Sequence, residues 1–234
     1  MIFSYVGKFA PTVLHYLDSA RAAALAANQA DMILLMTESD ASTISQSLKH
    51  SLTKQGVQLR IVDWTLPPGM RFTKDENWCG QKDFIRLHAL GLDEYDAVAY
   101  FDNDIEFQGD ITPLLKCAAT GHFLSTNGGI GEALNVGVFA LQPHKALLKA
   151  AVDFAREADY SQMTGWAQEG WRPSGGYYVG GECGQGTLDD VGCRAQGLGL
   201  QVSDVGLRPK MSRCEGFKAS RVQGFEFCAL DFRL

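Results

Sequence analysis

Two carboxylates one residue apart, Asp102 and Asp104, close the apolar run Ala97-Val98-Ala99-Tyr100-Phe101. In a strand, residues i and i+2 point to the same side, so at a strand end the pair can converge on one ion. Hard oxygen donors of this kind suit Mg²⁺ or Mn²⁺, and such an ion can in turn hold a diphosphate. The same Asp-Asn-Asp also suits a solvated turn after a buried strand. A short motif therefore has to be judged by its neighbours.

Three further segments supply those neighbours. Arg86 lies in Arg86-Leu87-His88-Ala89-Leu90, a helical stretch ahead of the acidic strand. Its planar fork matches phosphate oxygens better than a lysine would. Asn135-Val136-Gly137-Val138-Phe139-Ala140-Leu141 follows as an apolar strand opened by a polar residue. Gly180-Gly181-Glu182-Cys183-Gly184-Gln185-Gly186-Thr187-Leu188 comes last, with a carboxylate and a neutral amide among glycines.

The elements that must position these residues follow an α/β alternation. Strands are expected at 2–6, 32–36, 59–62, 97–102, 122–125 and 136–141. Helices are expected at 11–27, 42–54, 82–90 and 145–158, from apolar residues at helical spacing. Thr112-Pro113 predicts an N-cap followed by proline at the first helical position. From Tyr160 to Gly186 the chain is dense in Gly, Trp and Tyr, which predicts a long functional loop region. No repeat or linker breaks the sequence, so a single domain over 1–234 is expected. Its first half, 1–110, would bind the nucleotide and its second, 111–234, would face the acceptor.

Composition narrows the function classes. A chain of 234 residues with 46% hydrophobic content can build one sizeable core. The net charge of −6 argues against a nucleic-acid binder, which would carry a basic face. It does not argue against an anionic small molecule, because a bound divalent cation reverses the local sign. No apolar run has the length of a membrane span, and the first residues lack the basic-then-apolar order of a signal peptide. A cytoplasmic location is the default expectation, with a lumenal domain trimmed from its anchor as the alternative. The six cysteines contain no Cys-x-x-Cys pair, so a structural zinc is not expected. Cys117 and Cys228 read as core thiols, and Cys183 and Cys193 as a pair able to bridge in an oxidising compartment. His88 and His122 read as packed or surface residues, since a hard cation takes mainly oxygen. Trp166 and Trp171 in the late loop suit sugar stacking as well as packing.

In order and spacing, the Arg86 helix, the Asp102-Asn103-Asp104 strand end, Asn135-Val136-Gly137 and Gly184-Gln185-Gly186 resemble the glycogenin-like glycosyltransferases, glycosyltransferase family 8. The resemblance covers residues 80 to 190. It implies an α/β, GT-A-type nucleotide-diphospho-sugar transferase fold, with a mixed central sheet flanked by helices. It also implies Mn²⁺ (or Mg²⁺), a nucleotide-sugar donor that is most often UDP-linked, a glycan or other hydroxyl acceptor, and transfer of a hexose with retention of configuration. Carried over, Asp102 and Asp104 are metal ligands, with Asp102 and Asn103 also facing the donor. Arg86 contacts the diphosphate and sugar, Asn135 and Gly137 line the sugar pocket, and Gln185 and Gly186 lie near the anomeric carbon. Tyr5 and Val6 lie under the base.

Two departures stand out. Gly184 replaces the aspartate of the family's Asp-Gln-Gly, leaving Glu182 or Asp189 to cover it. No histidine follows His144, so the family's late metal-binding His is missing, with Asp204 and Asp231 as oxygen substitutes. The chain is thus expected to be a minimal, divergent member or a fragment of a longer protein. Two other functions fit less of the sequence. A haloacid-dehalogenase-like phosphatase would use Asp102 and Asp104 with Ser125-Thr126, Lys145 and Asp189-Asp190, but Glu106 and Phe107 stand where its Gly and Thr belong. A nucleotide-sugar-binding protein without catalysis is the other.

Overall fold

A computed structural model describes residues 2–4, 17–23, 30–62, 81–102, 105, 107, 109–127, 134–157, 160–161, 165–166, 218–222 and 225–230. Strands β1 (Ile2–Ser4), β2 (Met32–Met36), β3 (Val57–Ile61), β4 (Val98–Phe101), β5 (Leu124–Asn127), β6 (Leu134–Leu141), β9 (Lys218–Val222) and β10 (Phe225–Leu230) form one sheet. Its order is β3-β2-β1-β4-β6-β5-β10-β9. The first four strands are parallel. Strand β6 runs antiparallel to both β4 and β5, β10 runs parallel to β5, and β9 closes the sheet antiparallel to β10. The short strands β7 (Tyr160–Ser161) and β8 (Gly165–Trp166) pair separately. This is the expected α/β class, a mixed central sheet flanked by helices.

Why the central strands read as unbroken apolar runs follows from the layers. Met32-Ile33-Leu34-Leu35-Met36 is buried at every position, as a parallel strand covered on both faces must be. Alternate residues go to opposite cores. Ile33, Leu35, Tyr100, Phe139 and Leu141 join one cluster with Phe84, Leu87, Leu90, Ala151 and Ala155. Leu34, Met36, Phe101, Val138 and Ala140 join the other with Leu17, Leu52, Leu114 and Cys117. The 3₁₀ helix Gln81–Gly91 and α5 (Lys145–Glu157) therefore cover the first face. Helix α1 (17–23), α3 (Gln46–Lys54) and α4 (Thr112–Ala118) cover the second.

Several boundaries differ from expectation for local reasons. The helix expected over 42–54 is two helices, α2 (Glu38–Thr43) and α3. Ile44 is extended and buried between them, and the Ser45 hydroxyl accepts from Leu48 N at 3.2 Å to cap α3. In that Ser/Thr-rich stretch the capping tendency prevails over continuous helix. Thr112 does not cap α4; it is the first helical residue, and Asp110 Oδ1 accepts from its backbone N at 2.8 Å and its hydroxyl at 2.6 Å. Those two bonds hold the exposed Asp110 carboxyl below its ordinary pKa. The helix expected at 82–90 is an eleven-residue 3₁₀ helix, long for its kind, and its three-residue repeat stacks residues i and i+3. Strands β9 and β10 were not anticipated, although two residues separate them and Phe225-Glu226-Phe227 alternates as a hairpin strand does. Of the late loop, only the β7–β8 pair is described.

Cys117 requires a correction. It is buried on α4, as a core thiol would be, but it is disulfide-bonded. Its partner is one of the other five cysteines, whose side chains lie outside the described residues, as do Cys183 and Cys193 altogether. A bond of this kind stabilises by about 2–4 kcal/mol through constraint of the unfolded chain. Thiol titration of the unreduced, denatured protein should find no more than four of the six thiols free, six less the two in the bond. Reductant should lower the melting temperature. Six free thiols would contradict the bond.

Candidate functional site

In an open α/β sheet, ligands bind beyond the carboxyl ends of the parallel strands, where the strand order reverses. Here β2 leads one way from β1 and β4 the other, so that point lies between β1 and β4. Asp102 follows β4 directly, and the pairing of Phe3 with Phe101 sets it beside the end of β1. Strand β6 runs the opposite way and so begins at this same edge. Phe101 pairs with Val138, and Asp102 N donates to Gly137 O at 2.7 Å. Asn135 pairs through the backbone with Thr126 of β5, one residue before Val136. Three separate sequence segments, around Arg86, Asp102 and Asn135–Gly137, thereby meet at one place.

Arg86 holds them together. It does not face solvent, as a helical arginine ordinarily would; its side chain is 8% exposed. Nε donates to Asp83 O at 3.1 Å and NH1 to Val136 O at 3.1 Å. NH2 bonds Asp83 Oδ1 and lies 3.5 Å from Asp102 Oδ1. The contact with Asp83 follows from the 3₁₀ repeat, which brings i and i+3 together. Burial alone would depress the guanidinium's pKa, but Tyr100, Asp83 and Asp102 outweigh it and raise the pKa, so the charge is secure.

Tyr100 forms the floor. It is fully buried, its ring centroid is 5.3 Å from the Arg86 guanidinium carbon, and it stacks on Phe139 at 4.9 Å and 15°. Phe123 extends the stack, 6.2 Å from Phe139. The Tyr100 hydroxyl donates to Asp102 Oδ1 at 2.7 Å. Residues i and i+2 of a strand share a side, which is why these two meet. Asp102 itself is the half-open member, with its side chain 32% exposed.

Of the anticipated site residues, Arg86, Asp102 and Gly137 come together as described, with the backbone of Asn135 at the same edge. Tyr5, Val6, Asn103, Asp104, Glu182, Gln185 and Gly186 lie outside the described residues. Asp102 is a hard oxygen donor, partly exposed after the carboxyl end of β4, of the kind a divalent cation takes. Among the described residues, no group of three or more His, Cys, Asp or Glu side chains that could hold a metal is found. His122 shares a 2.8 Å hydrogen bond with Thr120 ahead of β5, at the other end of the sheet. Sequence reasoning missed Asp83 and Tyr100. The signals available were the i,i+3 spacing of Asp83 with Arg86 and the i,i+2 spacing of Tyr100 with Asp102.

The phosphatase alternative loses a required group here. Its Lys145 is 76% exposed and pairs with Asp93 at 3.0 Å. Asp93 precedes β4, and Val98 at the start of β4 pairs with Leu141 at the end of β6. Lys145 thus stands at the opposite end of β4 from Asp102.

No protein-family model matches the chain, and no curated protein matches it. Among solved structures, the chain is similar to the apo-form glycosyltransferase GlyE of Streptococcus pneumoniae TIGR4, with 16% identity and a TM-score of 0.45. The match covers 81% of this chain and 42% of that one, so the chain spans about two fifths of the length of this neighbour. Among the described residues, no helix is long and apolar enough to cross a membrane.

Removing a buried charge that balances two carboxylates leaves both uncompensated. Arg86→Met should destabilise the protein by about 3–5 kcal/mol in urea unfolding. Asp83→Asn combined with Arg86→Met should recover part of that loss, as coupled neighbours do. Strictly additive losses would contradict the pairing.

Proposed function

We propose that this chain is a metal-dependent glycosyltransferase that transfers a hexose from a nucleotide sugar, most simply a UDP-sugar, to a hydroxyl acceptor. The glycogenin-like family is the reading the motifs favour. One observation carries the proposal: Asp102 stands at the reversal of strand order with Arg86 and the Asn135–Gly137 strand drawn to it. A phosphatase would need Lys145 there, and a nucleic-acid binder would need a basic face.

Asp102 and Asp104 would hold Mn²⁺ or Mg²⁺. When bound, that ion supplies positive charge for a departing nucleoside diphosphate. The chain's own residues do the rest. Arg86 keeps a fixed positive charge beside Asp102, where negative charge grows on the leaving phosphate. Its donors are already fixed by Asp83 and Val136, so no reorganisation is needed as the bond breaks. Asn135 and Gly137 would border the sugar. Gln185 offers a neutral amide beside an oxocarbenium-like carbon without trapping it.

Retention is best served by attack from the leaving-group face. The bond from the anomeric carbon to the diphosphate oxygen breaks, the acceptor oxygen bonds to that carbon, and its proton passes to the diphosphate. The other route, a covalent glycosyl-enzyme, would rest on Glu182. The substitution of Gly184 for the family aspartate favours a second reading, in which the chain binds the nucleotide sugar without transferring it. Turnover of labelled donor separates the two.

The first test is thermal melting with UDP, with and without Mn²⁺, beside GDP and CMP. A ligand that binds only the folded state raises the melting temperature. A UDP shift that requires Mn²⁺ is expected, and Asp104→Ala should abolish it. No shift with any nucleotide plus metal would overturn the proposal. Gln185→Ala should slow turnover more than it weakens donor binding; equal losses would assign Gln185 to uniform binding.

A further inference from the structure

We infer that Tyr100 is a positioning residue for the cation site, a role that rests on the transferase reading above. Its hydroxyl donates to Asp102 Oδ1 at 2.7 Å while its ring supports the Arg86 guanidinium at 5.3 Å. Arg86 NH2 lies 3.5 Å from that same oxygen. A hydrogen bond and an ion pair therefore meet on one oxygen of a carboxylate whose backbone N donates to Gly137 O. A carboxylate held in this way keeps one orientation beyond the end of β4.

The support beneath is rigid. Tyr100 is wholly buried in the strand and stacked on Phe139, itself fully buried, with Phe123 beyond. Asp83 fixes Arg86 from the other side. A buried tyrosine hydroxyl needs some partner, and a purely structural hydroxyl would be satisfied by any acceptor. Here the acceptor is the carboxylate that, among the described residues, follows β4 at the strand-order reversal, and its side chain is 32% exposed. Outer partners of metal-binding carboxylates tune affinity through orientation, so the role of Tyr100 should be read in metal binding before it is read in stability.

Tyr100→Phe removes the hydroxyl and keeps the ring, the stack and the contact with Arg86. Mn²⁺ affinity in the presence of UDP is measured from the electron paramagnetic resonance of free Mn²⁺, alongside the melting temperature. Wild type is compared with Tyr100→Phe and with Leu52→Ala, a core change on the opposite face of the sheet. The expected result is Mn²⁺ binding about tenfold weaker in Tyr100→Phe. Leu52→Ala should melt lower yet bind Mn²⁺ as wild type does. Equal Mn²⁺ affinity in wild type and Tyr100→Phe would overturn the positioning role and leave the transferase reading standing. Weakening in both variants in proportion to lost stability would overturn it as well. Absence of Mn²⁺ binding by wild type would overturn both.

Discussion

A guanidinium taken out of water must be answered by charge and hydrogen bonds, and that requirement organises the crevice. Arg86 finds a carboxylate and a carbonyl on its own 3₁₀ helix, a second carboxylate after β4, a carbonyl on β6 and a ring face on β4. Those groups come from three separate segments of the chain, yet all lie within reach of one side chain. Loss of the charge would strand Asp83 and Asp102 together, which is why the arrangement is held as a unit. The same demand that anchors the helix to the sheet also settles how Asp102 faces the crevice.

The sheet order explains why this happens at an edge that can receive a ligand. Parallel strands β3, β2, β1 and β4 present their carboxyl ends on one side. Because β6 is antiparallel, its first residues rather than its last arrive there, and Asn135–Gly137 join Asp102. Had β6 been parallel, that segment would begin at the opposite end of β4, beside the site that Lys145 and Asp93 occupy. Direction of one strand thus decides which backbone segment lies beside Asp102.

Much of this could be read from the residues. The apolar run 32–36 is a strand buried on both sides, and the run ending at Phe101 delivers Asp102 to its carboxyl end, both as periodicity indicates. Strand order is not local information, so the meeting of Arg86 with Val136, fifty positions apart, was accessible only through a family resemblance. The 3₁₀ form of 81–91 was hidden because its apolar residues suit an α-helix equally well. The break at Ile44 was hidden by Ser and Thr residues that serve a helix interior poorly and a cap well. Tyr100 reads in the sequence only as part of the apolar run; it is buried, and its hydroxyl carries the contact that matters to Asp102. Cys117 shows the same limit: apolar neighbours indicate burial and are silent on the bond its sulfur makes.

The central claim is that the crevice beyond β4 receives a nucleoside diphosphate with a divalent cation. Crystals grown with UDP and Mn²⁺, measured at the manganese absorption edge, test it most directly. The account predicts one anomalous peak bonded to the Asp102–Asp104 segment, with the diphosphate beside it at the β1–β4 junction. An ordered UDP–Mn²⁺ complex elsewhere on the molecule, or no peak at this edge under saturating ligand, would contradict it.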